Sequence, residues 1–163
     1  MDDKALSFLM FRAIRGVISN AESGDLPLFA STLGLPAHQY QAMLTHYFAK
    51  YGAADEISES SYEFLQSSVP RSFSQVLEKV LSLRNEADDR PDVLWLAHAI
   101  ASAVYGEQLL WESMDLADVV QLQTLLAHYF PKWSVQRCGI TRWQVELLEG
   151  VKVVDALSDA STA

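Results

Sequence analysis

Cysteine is nearly absent from this sequence, and its glycines are few and scattered. Cys138 is the single cysteine among 163 residues, so no disulfide can form within the chain, and we expect a protein of the reducing cytoplasm. The seven glycines are isolated, which excludes a glycine-rich phosphate loop or dinucleotide turn. No Gly-x-Ser-x-Gly elbow occurs either. We therefore predict that the protein is not an enzyme.

Basic residues and long apolar runs are also scarce. The sequence contains 12 Lys and Arg residues and 21 Asp and Glu residues, which gives a net charge of -9. This negative charge argues against nucleic acid or anionic membrane as a partner. The longest apolar run, 93–105, is interrupted by His98 and Ser102. It is shorter than the roughly 20 residues that a membrane span requires. It therefore predicts a buried core helix.

The apolar residues that are present follow a helical period along most of the chain. They make up 50% of the sequence, enough for one domain with its own core. We predict an all-α fold, with a single compact domain over 1–157 around one buried central helix and a frayed tail at 158–163. The predicted elements are a helix over 6–17, a turn over 25–33, a helix from Pro36 to about Tyr51, one helical turn over 62–65, and helices over 73–81, from Pro91 to about Met114, over 116–130 and from Thr141 to about Leu157.

Two helix-end segments resemble each other. The sequence MLTHYFAKY at 43–51 parallels LLAHYFPKW at 125–133 and places His46 and His128 at equivalent helix C-termini. A paired metal site is one interpretation, because imidazole is a common ligand. The other is that each imidazole complements the negative end of its helix. We favour the second, because a structural metal site normally needs about four ligands.

His98 and Cys138 are the remaining candidates for metal binding or proton transfer. His98 could be a buried ligand or proton carrier, although a core imidazole bonded to a carbonyl or a Tyr hydroxyl is more common. Cys138 lies beside Arg137, which could lower the pKa of a thiol that faces it. A lone cysteine is nevertheless usually a small buried hydrophobe.

Tryptophan is concentrated in the second half of the chain. Trp133 and Trp143 flank the predicted break before the last helix. Trp and Arg are enriched at the energetic centres of protein interfaces. Together with Arg137, these residues form the predicted partner surface, which we define as Trp133, Arg137 and Trp143.

Two segments resemble a known family. LWESMDLADVVQLQTLLAHYFP at 110–131, followed by Trp143, and LGLPAHQYQAM at 33–43 are similar to the NifQ-type nitrogen-fixation proteins. Their signature is a Cys-x4-Cys-x2-Cys-x5-Cys tail after that Trp, which is absent here. Asp115 also replaces the glycine of the family's Asp-Leu-Gly-Leu, Arg137 replaces an Asn, and Gln144-Val145 replaces a Lys-Lys pair.

The resemblance implies a small cytoplasmic protein that carries molybdenum on an iron–sulfur cluster and passes it to the machinery that builds the nitrogenase cofactor. Because thiolates hold such clusters, we expect the cluster to have been lost. The expected function is then an interaction or maturation module without a cofactor, with nitrogenase or molybdenum-enzyme assembly factors as partners. The alternative is molybdenum or metal delivery through a non-cysteine or intersubunit site, with His46, His128, Cys138 or carboxylates in place of the thiolates.

Overall fold

Helices form all the regular structure in the described part of the chain. The structure is a computed structural model that describes residues 3–51, 59–84, 90–106 and 110–132, and within these ranges it confirms the predicted all-α class. The elements are α1 (Asp3–Glu22), a 3-10 helix (Leu28–Thr32), α2 (Ala37–Tyr51), α3 (Glu59–Ser67), α4 (Phe73–Ser82), α5 (Pro91–Ala103), α6 (Leu110–Ser113) and α7 (Val119–Tyr129). The predicted helix from Thr141, the boundary at 157 and the tail lie outside the described residues.

The buried central helix is α5. Pro91 occupies its first turn, where the missing N–H leaves no hydrogen bond unmade. Ten of its 13 residues are buried, so it lies at the centre of the shared core with α1 and α4 packed against it. The prediction that this helix continues to Met114 is wrong. It ends at Ala103, whose carbonyl accepts the Gly106 N–H at 3.0 Å, and α6 starts anew at Leu110.

Two segments contain more helix than we predicted. The segment 25–33, predicted to be a turn, includes the 3-10 helix. The segment 62–65, predicted to form one helical turn, is part of the nine-residue α3. The Ser- and Glu-rich composition of α3 suggested a solvated connection. Tyr62 and Leu65, three residues apart, nevertheless bury one side of α3 against the core.

The start of α7 is fixed by its own side chains. The Asp118 carboxylate accepts the Gln121 N–H at 3.0 Å, and the Gln121 side chain accepts the Ala117 N–H at 2.9 Å. This reciprocal pair satisfies two backbone donors at the helix start, as in a capping box. The helix therefore begins at Val119. The predicted start at Leu116 is three residues too early.

The first helix approaches the α6–α7 connection closely. A Cβ atom on Gly16 would lie 2.2 Å from the Met114 carbonyl oxygen, so only glycine allows this contact. One turn later, the Asn20 amide donates to the carbonyl of Ser113 at 2.7 Å and to that of Glu112 at 3.3 Å. These contacts fix the connection that leads into α7.

Candidate functional site

A left-handed corner precedes α2 and forms part of the buried centre of the molecule. Leu33 and Gly34 have φ angles of 58° and 64°, a conformation that glycine adopts without steric cost. A Cβ atom on Gly34 would lie 2.7 Å from Cζ of Phe73. The ring of Phe73 therefore covers a backbone surface that only glycine provides.

His98 of α5 holds this corner from the core. Its Nδ1 lies 3.0 Å from the Leu33 carbonyl oxygen, and because a carbonyl only accepts, Nδ1 carries the hydrogen. Burial lowers the pKa of His98, and the hydrogen bond to Leu33 opposes this shift only in part. The ring centroid also lies 5.8 Å from that of Phe73. This geometry confirms the interpretation of His98 as a core imidazole bonded to a carbonyl.

A second carbonyl near the corner, that of Leu35, is held by α3. The Tyr62 hydroxyl and the Gln66 amide both donate to the Leu35 carbonyl, the amide at 2.6 Å. Burial, with a smaller contribution from Glu22, raises the pKa of Tyr40 to about 12. Burial also raises the pKa of Tyr62 to about 12. Both phenols therefore stay protonated at neutral pH, and that of Tyr62 serves as a hydrogen-bond donor to the Leu35 carbonyl.

The end of α7 is the point from which the chain continues toward the predicted partner surface. Tyr129 and Phe130 are buried, and the Arg90 guanidinium lies 5.4 Å from the centre of the Tyr129 ring, within the range of a cation–π contact. Just beyond, the Lys132 N–H donates to the Leu83 carbonyl at 3.0 Å. The backbone that precedes Trp133 is thus attached to the end of α4.

The two candidate metal-binding histidines lie on the surface beside aromatic rings. The exposed His46 has its ring 5.0 Å from Tyr47 and 5.4 Å from Trp95. The exposed His128 has its ring 4.6 Å from Tyr129, nearly perpendicular to it. In both segments the histidine thus packs edge-on against the tyrosine that follows it.

The two histidines do not occupy equivalent helix ends, and that prediction is wrong for His46. The helix α2 continues to Tyr51, well past His46, whereas α7 ends at Tyr129. The difference follows from one residue, because the second segment has Pro131 where the first has Ala49. Proline cannot donate a helical hydrogen bond and disfavours helix at the preceding residue. Interaction with the helix dipole is therefore available to His128 alone.

The remaining predicted residues lie outside the described part of the chain. These are Trp133, Arg137, Cys138 and Trp143. Within the described ranges, no group of three or more His, Cys, Asp or Glu side chains could hold a metal ion. The same ranges contain no helix both long and apolar enough to cross a membrane.

Sequence reasoning missed several residues that build this region. The contact of Asn20 with Ser113 spans 93 positions, and no local sequence pattern predicts it. The cation–π contact between Arg90 and Tyr129 likewise joins distant positions that no local pattern connects. The cap of α7 was recognisable, because Asp118 followed three residues later by Gln121 is a typical helix start.

Comparison with known proteins places the chain in a family. The NifQ family model matches residues 13–145, which include the second half of α1 and every later element. The chain belongs to the NifQ family. It is similar to Protein NifQ of Azotobacter vinelandii, with 33% identity over 66 residues, or 40% of this chain and 34% of that protein. The match thus spans about a third of the relative's length. No solved structure matches the chain.

The structure bears on one departure from the NifQ pattern, the aspartate at position 115. Asp115 stands where the family has glycine, and its φ angle is 54°. This left-handed conformation explains why glycine suits the position, since other residues adopt it at a steric cost. Aspartate is one of the few side chains that tolerate it. Aspartate is thus compatible with the left-handed turn that this chain makes at residue 115.

Proposed function

We propose that this protein is a NifQ-family accessory factor that acts by binding another protein in nitrogen fixation or metalloenzyme metabolism, without an iron–sulfur or molybdenum cluster of its own. Membership of the family supports a role in nitrogen fixation and molybdenum handling. The observation that carries the proposal is the presence of one thiol, Cys138, in the whole sequence. Iron–sulfur clusters are held by several cysteine thiolates, and one thiolate per chain does not supply them.

The donors in the described part of the chain do not fit a replacement site. His46 and His128 lie at the surface, each against a tyrosine ring. No carboxylate or thiol there joins either imidazole in a group of three. A cluster or a molybdenum ion would need more donors than these two imidazoles. We therefore assign no step to a bound metal.

The predicted partner surface supports a binding function. Trp133, Arg137 and Trp143 are residue types that dominate binding energy at protein interfaces. The Lys132–Leu83 hydrogen bond attaches the chain to the end of α4 immediately before Trp133. The position from which the chain continues to Trp133 is therefore fixed on the described fold.

Purification under anaerobic conditions tests the absence of a cluster. The protein is purified without oxygen and then incubated with iron, sulfide and molybdate. We expect a colourless protein with no stoichiometric iron or molybdenum, since Cys138 offers one thiolate. A brown protein with iron and molybdenum in a fixed ratio would overturn the proposal. Loss of that colour in Cys138→Ser would then assign the cluster to a site shared between subunits.

Alanine variants test the binding function separately. Capture from extracts of nitrogen-fixing cells is compared for the parent chain and for Trp133→Ala, Arg137→Ala and Trp143→Ala. Val120→Ala, which removes a side chain that is 60% exposed on α7, is the matched control. We expect loss of one captured assembly or maturation factor in the first three variants and an unchanged melting temperature. Equal capture by all variants would contradict the assigned surface.

A further inference from the structure

The outer face of α1 differs in charge from the rest of the molecule. The helix contains three basic and two acidic residues, whereas the remainder of the chain contains nine basic and 19 acidic residues. Lys4, Arg12 and Arg15 are all exposed. An otherwise acidic protein thus presents a positively charged helix at its surface.

These charges lie on one stripe of the helix. Lys4, Phe8, Arg12 and Arg15 follow steps of four, four and three residues, which place them on the same face. The opposite face is the buried one and includes Leu9, Ala13 and Val17, among others. The stripe, which we call the α1 outer stripe, extends over roughly 16 Å at 1.5 Å per residue.

Phe8 lies between the charges and is unusually exposed for its type. Its side chain is 52% exposed, and its ring centroid lies 6.4 Å from that of Phe11. Phe11 in turn packs against Tyr47 at 5.0 Å. Contact with Phe11 restricts the orientation of Phe8, so that burial of its ring by a partner costs less side-chain entropy.

The basic side chains of the stripe have no carboxylate partner among the described residues. Among the residues described, no ion pair involves Lys4, Arg12 or Arg15. Exposed charges without an intramolecular partner are available to a complementary surface. Three of the four members of the stripe also precede residue 13, where the family match begins. The stripe is therefore mostly outside the part of the chain that the family shares.

We propose that the α1 outer stripe is a docking surface for an acidic segment of another protein, with carboxylates against Arg12, Arg15 and Lys4 and an apolar side chain against Phe8. Charge complementarity selects this partner. A lipid surface or nucleic acid would also offer negative charge, but either is extended and would repel the acidic remainder of the molecule. A protein segment can contact the stripe alone. This proposal is independent of the partner surface at 133–143.

Fluorescence anisotropy with labelled peptides tests the docking surface. The probe is a helical peptide of Glu, Ala and Leu with Glu on one face, and its control carries Gln in place of every Glu. We expect the acidic peptide to bind more tightly than its Gln control, with an affinity that falls as salt is raised. We expect Arg12→Glu/Arg15→Glu to weaken binding about tenfold or more and Phe8→Ala by about fivefold.

Matched controls separate the stripe from general charge. Arg71→Glu reverses an exposed charge elsewhere, and Val120→Ala removes another exposed apolar side chain. Both should bind like the parent, and all variants should melt like it, because every replaced side chain is exposed. Equal binding of the Glu and Gln peptides, or equal loss in Arg71→Glu, would overturn the proposal. So would stripe-dependent binding to phosphatidylserine vesicles in preference to the peptide, or stripe-dependent self-association by sedimentation without peptide binding.

Discussion

Left-handed corners precede both α2 and α7, and the two are stabilised in different ways. Before α2, Leu33 and Gly34 adopt positive φ angles, and before α7 Asp115 does so. Leu33 is fully buried, whereas Asp115 is exposed. The same backbone conformation therefore occurs once inside the core and once at the surface.

The side chains that hold the two corners come from different helices. Around the first corner, core side chains bond the carbonyls, with His98 on Leu33 and Tyr62 on Leu35. At the second, α1 supplies the contacts, through Asn20 and through the close approach of Gly16. The comparison shows that a left-handed turn can be fixed by burial or by an adjacent helix. The two mechanisms should respond differently to mutation and to pH.

The largest expected effect is at the buried corner. Gly34→Ala should lower the free energy of unfolding by about 2–4 kcal/mol, because it adds both left-handed strain and a clash with Phe73. Gly24→Ala is the matched control, since Gly24 also has a positive φ but nothing within 4 Å of its added Cβ. That control should cost about 1–2 kcal/mol, from strain alone. Urea unfolding followed by circular dichroism measures both.

Equal losses in the two variants would show that Phe73 moves aside without cost. In that case the buried corner would not depend on close packing around Gly34. If the excess loss of Gly34→Ala over Gly24→Ala disappears in a Phe73→Leu background, the difference is instead attributable to the ring, because the double-mutant cycle isolates the contact between the two positions.

Sequence alone predicted the elements with a strong apolar period, and missed those that depend on contacts. The helix at Pro91 was recognisable because almost every position is apolar, and α4 because its stripe is regular. The helix α3 was underestimated, since the contact of Tyr62 with the Leu35 carbonyl, 27 residues away, is not visible in the sequence. The break at Gly106 was visible as a glycine. The structure adds that a Cβ atom at this position would lie 2.5 Å from the Leu26 side chain.

The candidate site was less predictable than the fold. The hydrogen bond of His98 to a carbonyl follows from its place in an apolar helix, but its partner, Leu33, is 65 residues away. The repeated His-Tyr-Phe segment suggested equivalent helix ends. Pro131 indicates that the two ends differ, because proline ends α7 and the first segment has no proline at the matching position.

An intermediate effect is expected from acidification of the buried corner. Burial lowers the pKa of His98 in the fold, whereas the unfolded chain has the ordinary value of about 6.5. The unfolded state therefore binds a proton first as pH falls. Stability from neutral His98 should be complete above about pH 7.5 and decline below pH 6.5 toward its lowered folded pKa, by at most about 1.4 kcal/mol per pH unit.

The variant His98→Gln isolates this contribution. Its amide can still donate to the Leu33 carbonyl, but it does not titrate. Chemical unfolding of both proteins at intervals between pH 8 and pH 5 should show their difference changing only below about pH 6.5. A difference that stays constant across the whole range would mean that His98 is protonated equally in the folded and unfolded states.

The smallest expected effect has the opposite sign and is at the exposed corner. Asp115→Gly should raise the free energy of unfolding by about 0.5–1 kcal/mol, because glycine removes the left-handed strain and the exposed carboxylate contributes no core packing. Leu33→Gly offers the same backbone relief but empties a fully buried position. It should therefore lose about 2–4 kcal/mol in all, because the cavity cost exceeds the relief. Differential scanning calorimetry should place the two variants on opposite sides of the parent. Destabilisation by Asp115→Gly would show that the carboxylate stabilises the turn and that the family's glycine is not the better residue in this chain.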